Sequence, residues 1–500
     1  MLTLLSGLGS RSIDGLNPLC IVIKKVPTAM KSLLLCFALF CSLSFPVAAA
    51  ALDEHQQFTL DLFKQLIEIN TTQSSGSTLE AAELVAKKLR QAGFSDEDIH
   101  VIKMTDRKAN LVVRLRSPEP SYGPILLLSH IDVVEADPED WGKDPFTFIT
   151  EGDHYYGRGT MDDKNEAAIH IANLIRMKQQ GYQPNRDIIV VLTADEEGGP
   201  NNGVMYLLKH HRDLIEADFV INEGGVGVIE DGKFTIHAIE SAQKIYQSFQ
   251  LEVTNPGGHS SRPEKKNAIY QLARALLRID DFQFPVELNE TTRAYFEATA
   301  QTRTEPEASL MRGLLQTPPA EQSIAHFEKI SSVNPLLRTT CIATQVEAGH
   351  AENALPQRAM AKVNCRLMPG SDFKQIMTVL SYVIADNEVA IEPVFEGLSS
   401  DASPLSSEIV DAVTSITAVM WPDALVVPSM TTGATDALFF RNAGMPVYGV
   451  SGIFNTAGET RIHGRDERIL IRSFHDGSVF LDQLVRTLTS PLDATSGQTL

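Results

Sequence analysis

The chain has 500 residues, with 43 Lys plus Arg against 63 Asp plus Glu, for a formal charge of −20. So acidic a surface repels phosphate backbones and anionic lipid, which argues against nucleic acid and against a stable membrane partner. Apolar residues at 43% and charged residues at 21%, with 25 Pro and 32 Gly, describe a globular chain and exclude disordered, collagenous and multi-span classes.

Residues 1–29 match neither a domain nor a targeting pattern. Met30-Lys31 is followed by the apolar stretch 33–40, then Pro46 and the alanines 48–51. A basic start, a short apolar core and a small-residue exit read as a signal peptide over about residues 30–50, with Met30 as the start and an exported, periplasmic or secreted product. An uncleaved anchor is the alternative, because 32–52 carries no charge. Pro46 and the alanines favour cleavage. Cleavage leaves Cys341 and Cys365, enough for one disulfide or two buried thiols but not for a scaffold.

Residues 55–94 read as two helices joined by a polar loop at 71–77. Apolar strands follow at 111–115, 125–128, 187–192 and 218–221, with helices between them, the first at about 162–180. Continuous apolar strands alternating with helices predict an α/β fold, a largely parallel sheet with helices on both faces. After about residue 247 the style changes. Alternating runs at 248–253, 338–346 and 358–368, with helical stretches near 265–279 and 321–330, predict a smaller α+β insertion. The α/β style resumes at Ser371. The predicted division is 51–247 plus 371–489 for the main domain, 248–370 for the insertion, and a tail over 490–500.

Chemistry-bearing residues cluster where these strands end. His130 and Asp132 follow the strand at 125–128, and two residues apart in extended backbone they point the same way. A carboxylate so placed can orient a metal-binding imidazole. Tyr156-Gly157-Arg158-Gly159-Thr160-Met161-Asp162-Asp163-Lys164 is a glycine-hinged loop entering a helix, and taken alone Asp162 reads equally as an N-cap. Asp195-Glu196-Glu197 ends another strand, and three successive carboxylates repel unless a cation or proton intervenes. Glu223 follows a fourth strand, and His463 lies in a polar run far downstream. Each cluster alone could be a solvated turn. Together, two imidazoles and at least three carboxylates beyond the carboxyl ends of sheet strands suit a pair of bridged zinc ions, though such donors also accept manganese or cobalt.

With these motifs in this order, residues 55–489 resemble the co-catalytic zinc aminoacylase and carboxypeptidase family. That family includes succinyl-diaminopimelate desuccinylase, acetylornithine deacetylase and carboxypeptidase S. The resemblance implies that His130 binds one zinc and His463 the other, with Asp162 bridging. It implies that Glu197 completes the His463 site and Glu223 the His130 site, while Asp132 orients His130. Glu196 would be the general base for a metal-bridging water, and the Asp162–Asp163 peptide would be cis. The insertion becomes a lid or dimerisation domain, in which Gly257-Gly258-His259 resembles a motif whose histidine donates to the oxyanion, in several relatives across a dimer interface. Asn353 and Arg366 would hold a substrate carboxylate. Asn334-Pro335-Leu336-Leu337-Arg338 looks most like the carboxypeptidase S branch, and Gly433-Ala434-Thr435-Asp436 like its substrate-side loop. Relatives commonly have Arg where this chain has Leu438.

The expected activity is hydrolysis of an amide in an N-acyl amino acid or short peptide with a free carboxylate. A dipeptidase is the nearer alternative, and a non-catalytic peptide-binding descendant the more distant one.

Overall fold

Runs of leucine and β-branched residues with no polar alternation have no face to give to water, and the structure buries them on both sides. In the computed structural model, which describes residues 51–456 and 461–490, the strands Ile125–His130, Ile188–Thr193 and Phe219–Asn222 are buried at every position. They pair in parallel. The expected signal segment, the start at Met30 and the tail from 491 lie outside the described residues. Among the described residues, no helix is long and apolar enough to cross a membrane.

Successive side chains of these strands enter two cores. Leu127, Val190 and Leu192 pack with the helices Glu54–Ile67, Lys164–Gln179 and Ile471–Thr489. Leu126, Ile189 and Val191 pack with the helices Gly203–His210 and Ala437–Asn442 on the other face. Each fully buried aliphatic side chain contributes roughly 1.5–3 kcal/mol, so this double-sided packing fixes the strand ends that carry the site. Among the described residues the sheet has ten strands, parallel at its middle and antiparallel where Ala109–Leu115 joins one flank. Its other flank includes the hairpin Gly227–Glu230 and Lys233–Gln243, which the apolar pattern did not single out.

A second, antiparallel sheet is built on Ile245–Thr254, flanked by Arg358–Leu367 and Val389–Pro393, with Thr340–Ala348 at its edge. The helices Ala268–Asp281 and Phe373–Ile384 cover one face. The expected resumption of the α/β style at Ser371 is therefore corrected: helix 373–384 and strand 389–393 belong to the second layer. Leu380 and Ile384 are buried in its core, and an apolar helix followed by a strand looks the same in sequence whichever sheet receives it. Three further helices, Glu290–Thr299, Glu307–Leu314 and Glu321–Phe327, gather a separate small core around Phe296, Leu314 and Phe327. Cys341 faces Cys365 across paired strands and the two form a disulfide, which decides between bridge and free thiols.

Candidate metal centre

Parallel strands in register deliver their ends to one edge. His130 is opposite Thr193, so the loops after both strands start at the same height. Asp132 stitches them together: its two carboxylate oxygens accept from the backbone N–H groups of Glu196 (3.2 Å) and Glu197 (3.0 Å). The first member of the acidic triplet turns away. Asp195 adopts φ 58°, a left-handed conformation that Asp tolerates better than most residues. Its carboxylate pairs at 2.8 Å with Lys108, and both are buried. The cation demanded by three adjacent carboxylates is thus partly this lysine, which the sequence motifs did not include.

Asp162 comes from the glycine-hinged loop, and Glu467 holds that loop. Glu467 is fully buried and accepts from Arg158 Nη1 (2.7 Å) and from the N–H groups of Gly159 (3.1 Å), Met161 (2.7 Å) and Asp162 (3.2 Å). Gly159 has φ 87°, and a Cβ there would lie 2.9 Å from both Lys164 and Val133 side chains, so only glycine fits. The Asp162–Asp163 peptide is cis. The expected helix begins at Lys164 with Asp163 at the cap position and no capping bond, which removes the N-cap reading of Asp162. Lys164 is buried and donates to the carbonyls of Leu66 (2.9 Å) and Ile69 (2.8 Å), and burial pushes its ammonium down to about 7.

These supports place Asp162 between two imidazoles. Its Oδ1 lies 2.7 Å from His130 Nε2 and its Oδ2 3.2 Å from His463 Nε2. Glu223 Oε1 is 3.8 Å from His130 Nε2, and Glu197 Oε2 is 2.9 Å from His463 Nε2. The other ring nitrogen of His130 lies 3.1 Å from the Asp132 carbonyl oxygen and 3.8 Å from its carboxylate. His130, Asp162 and Glu223 form one group whose ligand atoms lie within 4.8 Å of one another, and Asp162, Glu197 and His463 form another. Asp162 is common to both.

The electrostatics suit a cation-holding site. Burial works against protonated His130, yet Glu223 and Asp162 hold it well above the ordinary imidazole range. Hydrogen bonds to Asp162 and Glu197 raise His463 to about 10. Burial would raise Asp162, but its bonds with the two histidines outweigh that and keep it ionised. Burial lifts Glu196 and Glu223 well above the carboxylate range. A nest of carboxylates that draws protons onto two imidazoles is a donor set that two divalent ions would satisfy. Glu196, next to Glu197 in the chain, is in neither group of candidate ligands.

The lid-side candidates are differently placed. His259 pairs with Ala354 in a short two-stranded ladder, and Ser260 N–H donates to Asn353 O at 3.0 Å, so the His259 and Asn353 loops lie side by side. His259 Nδ1 accepts from the hydroxyl of Ser261 at 2.8 Å. The Arg366 guanidinium stacks 4.7 Å from the centre of the Tyr246 ring. Gly433 is in an exposed turn whose next residues are anchored: Asn222 donates to Thr435 Oγ1 (3.3 Å) and Asn202 to Asp436 Oδ1 (2.6 Å). Among the described residues, no hydrogen bond or ion pair joins His259, Asn353 or Arg366 to the metal-ligand groups.

A family model described as Peptidase family M20/M25/M40 matches residues 126–487. The human N-fatty-acyl-amino acid synthase/hydrolase PM20D1 is 28% identical over 386 residues, 74% of this chain and 75% of that protein. A probable carboxypeptidase S-like 2 of Dictyostelium discoideum is 27% identical over 387 residues, 75% of this chain and 74% of that protein. Among solved structures, the M20 family metallo-carboxypeptidase Sso-CP2 from Sulfolobus solfataricus shares the fold, with TM-score 0.64 and 19% identity over 87% of this chain and 99% of that one.

Proposed function

The chain belongs to peptidase family M20/M25/M40, and from that premise we propose an exported two-zinc hydrolase that cleaves an amide in N-acyl amino acids or short peptides bearing a free carboxylate. The observation that carries this is Asp162, within 2.7 and 3.2 Å of two imidazoles that each have a further carboxylate neighbour.

His130, Asp162 and Glu223 would hold one ion, and His463, Asp162 and Glu197 the other. Zinc there would supply Lewis acidity toward the scissile carbonyl and ease deprotonation of water. Glu196 takes the proton of the attacking water on its carboxylate and passes it to the leaving nitrogen. Asp132 fixes the main chain of Glu196 and Glu197, so that one carboxylate faces metal while its neighbour remains a base. His259 donates to the oxyanion, and Asn353, Arg366 and the Gly433 turn receive the substrate carboxylate.

Two further parts of the reading have structural support. The Cys341–Cys365 disulfide suits an oxidising compartment. A homodimer through the lid is supported by the edge strand Thr340–Ala348, whose Ile342 and Val346 are 68% and 59% exposed.

Metal content and hydrolysis of a panel of N-acyl amino acids and dipeptides, for wild type and Glu196→Ala, test the proposal. The expected result is about two metal ions per chain in both proteins, with turnover reduced by about 10²–10⁴-fold in the variant. A wild type that takes up no added zinc and hydrolyses nothing would overturn it. The ratio of acyl-amino acid to dipeptide turnover separates deacylase from dipeptidase.

A further inference from the structure

A cavity of about 330 Å³ lies beside the metal cluster, bordered by Asp162 and Glu223 of the His130 ligand group. Much of its lining is apolar: Met161, Val226, Ala238, Met430, Ile453 and Ile462. Three further polar side chains interrupt that lining. Asn165 and Glu166 come from the first turn of helix Lys164–Gln179, and Glu240 from strand Lys233–Gln243. They are buried, at 1%, 4% and 8% exposure. Among the described residues, neither amide atom of Asn165 has a hydrogen-bond partner, and nor has Glu166 Oε2, which lies 4.0 Å from His170 Nε2. Glu240 accepts from the Gly225 N–H but has no ion pair among the described residues. Arg441, whose charge acts on it, donates instead to Gln243 Oε1 and Ser403 Oγ, each at 3.1 Å. A Cβ at Gly224, where φ is 100°, would lie 2.8 Å from Glu240 Oε2, so glycine there leaves room for this carboxylate.

Buried polar groups without protein partners are rare in folded chains, and here an amide and two acids of this kind line one cavity. The acids repel the carboxylate half of a substrate. The acyl half, joined to the carbonyl that the metal edge would receive, is the part that fits. A plain alkyl chain matches the apolar lining but leaves the amide and the carboxyl groups unpaired. An aliphatic chain ending in an ammonium matches both, with methylenes against the lining and N–H donors for Asn165 Oδ1, Glu166 and Glu240.

We propose that this cavity binds the acyl half of the substrate and selects acyl groups whose aliphatic chain ends in a primary amine. The inference rests on the amide-hydrolase reading above and names the acyl chemistry that the reading leaves open.

The test uses the metal-loaded full chain and matched acyl groups on leucine: β-alanyl against butanoyl, γ-aminobutanoyl against pentanoyl, and ε-aminohexanoyl against heptanoyl. Each pair differs only in ending in an ammonium or a methyl group. At the preferred length, wild type is expected to favour the amine by about tenfold or more in kcat/KM. Glu166→Gln keeps the shape of the side chain and removes its charge, and should bring that ratio toward one with metal content unchanged. Glu240→Gln, on a different element, is read in the same way should the first variant lose metal or fail to fold. Wild-type ratios of one or below at every length would overturn the inference while leaving the hydrolase reading intact, since the cavity would then hold alkyl chains or water. So would an unchanged ratio in a variant that keeps its metal. No hydrolysis of any substrate would remove the hydrolase reading, and this inference with it.

Discussion

The metal cluster and the lid-side candidates treat their polar groups in opposite ways. Around the candidate metal ligands, side chains are locked by others: Asp132 takes two backbone bonds and Glu467 four contacts from a single loop. On the lid side, Arg366 rests on a ring with no partner carboxylate among the described residues, and His259 is exposed at the end of a two-residue strand. The contrast follows from what each region would hold. Ions need ligands at fixed distances, so their supports are bonded in advance. A substrate arrives with its own hydrogen-bonding groups, and a partner already in place would have to be displaced.

That contrast makes separable predictions. The largest effect should come from Glu467→Gln, which leaves the Arg158 guanidinium buried without its counter-charge. Loss of one partner of a buried pair costs about 3–5 kcal/mol, and metal affinity should fall by roughly 10–100-fold as the Asp162 loop loosens. Chemical denaturation and metal titration read the two losses. Metal affinity that fell with no loss of stability would break the idea that one carboxylate serves both.

Arg366→Ala should do the reverse. It removes a charge-assisted contact worth about 1.5–3 kcal/mol, so KM for a carboxylate-bearing substrate should rise roughly 10–100-fold. The unfolding midpoint should move little, because among the described residues the guanidinium pairs with no carboxylate and loses only its stacking on the Tyr246 ring, worth about 0.5–1 kcal/mol. A large fall in melting temperature would place Arg366 with the locked groups.

The effect that is smallest near neutral pH extends the comparison to acid conditions. His237 is fully buried among Trp421, Phe454 and Phe480, bonded through Nδ1 to Thr417 Oγ1 at 2.8 Å, and burial pushes its imidazole down to about 3. Unfolded, it titrates near 6.5. Between those values the unfolded chain binds more protons, so stability is complete above about pH 6.5 and falls as pH drops toward 3, by at most about 1.4 kcal/mol per unit. His237→Phe should flatten that acid limb, as read by melting temperature against pH. Thr417 keeps a partner in the Val413 carbonyl at 2.6 Å.

Much of the cluster was legible in sequence because His130, Glu197 and Glu223 directly follow, or end, apolar strands, and parallel strands align their ends. Glu467 was not legible. In the run His463-Gly464-Arg465-Asp466-Glu467 two adjacent acids look alike, yet Asp466 is half-exposed and Glu467 fully buried, a difference made only by contact with the loop around Arg158. Lys108 was missed for the same reason, since its partner Asp195 is distant in sequence. The end of the second layer at strand 389–393, not 370, failed differently: local periodicity gives a strand but not the sheet it joins.

The Arg158–Glu467 pair spans 309 residues, and the same late segment supplies His463. A chain emerging from the ribosome therefore carries His130, Asp162, Glu197 and Glu223 long before the groups that complete the second ligand set and brace the first. Assembly of the full centre must wait until nearly all of the polypeptide has been made, so that hydrolytic competence coincides with completion of the fold.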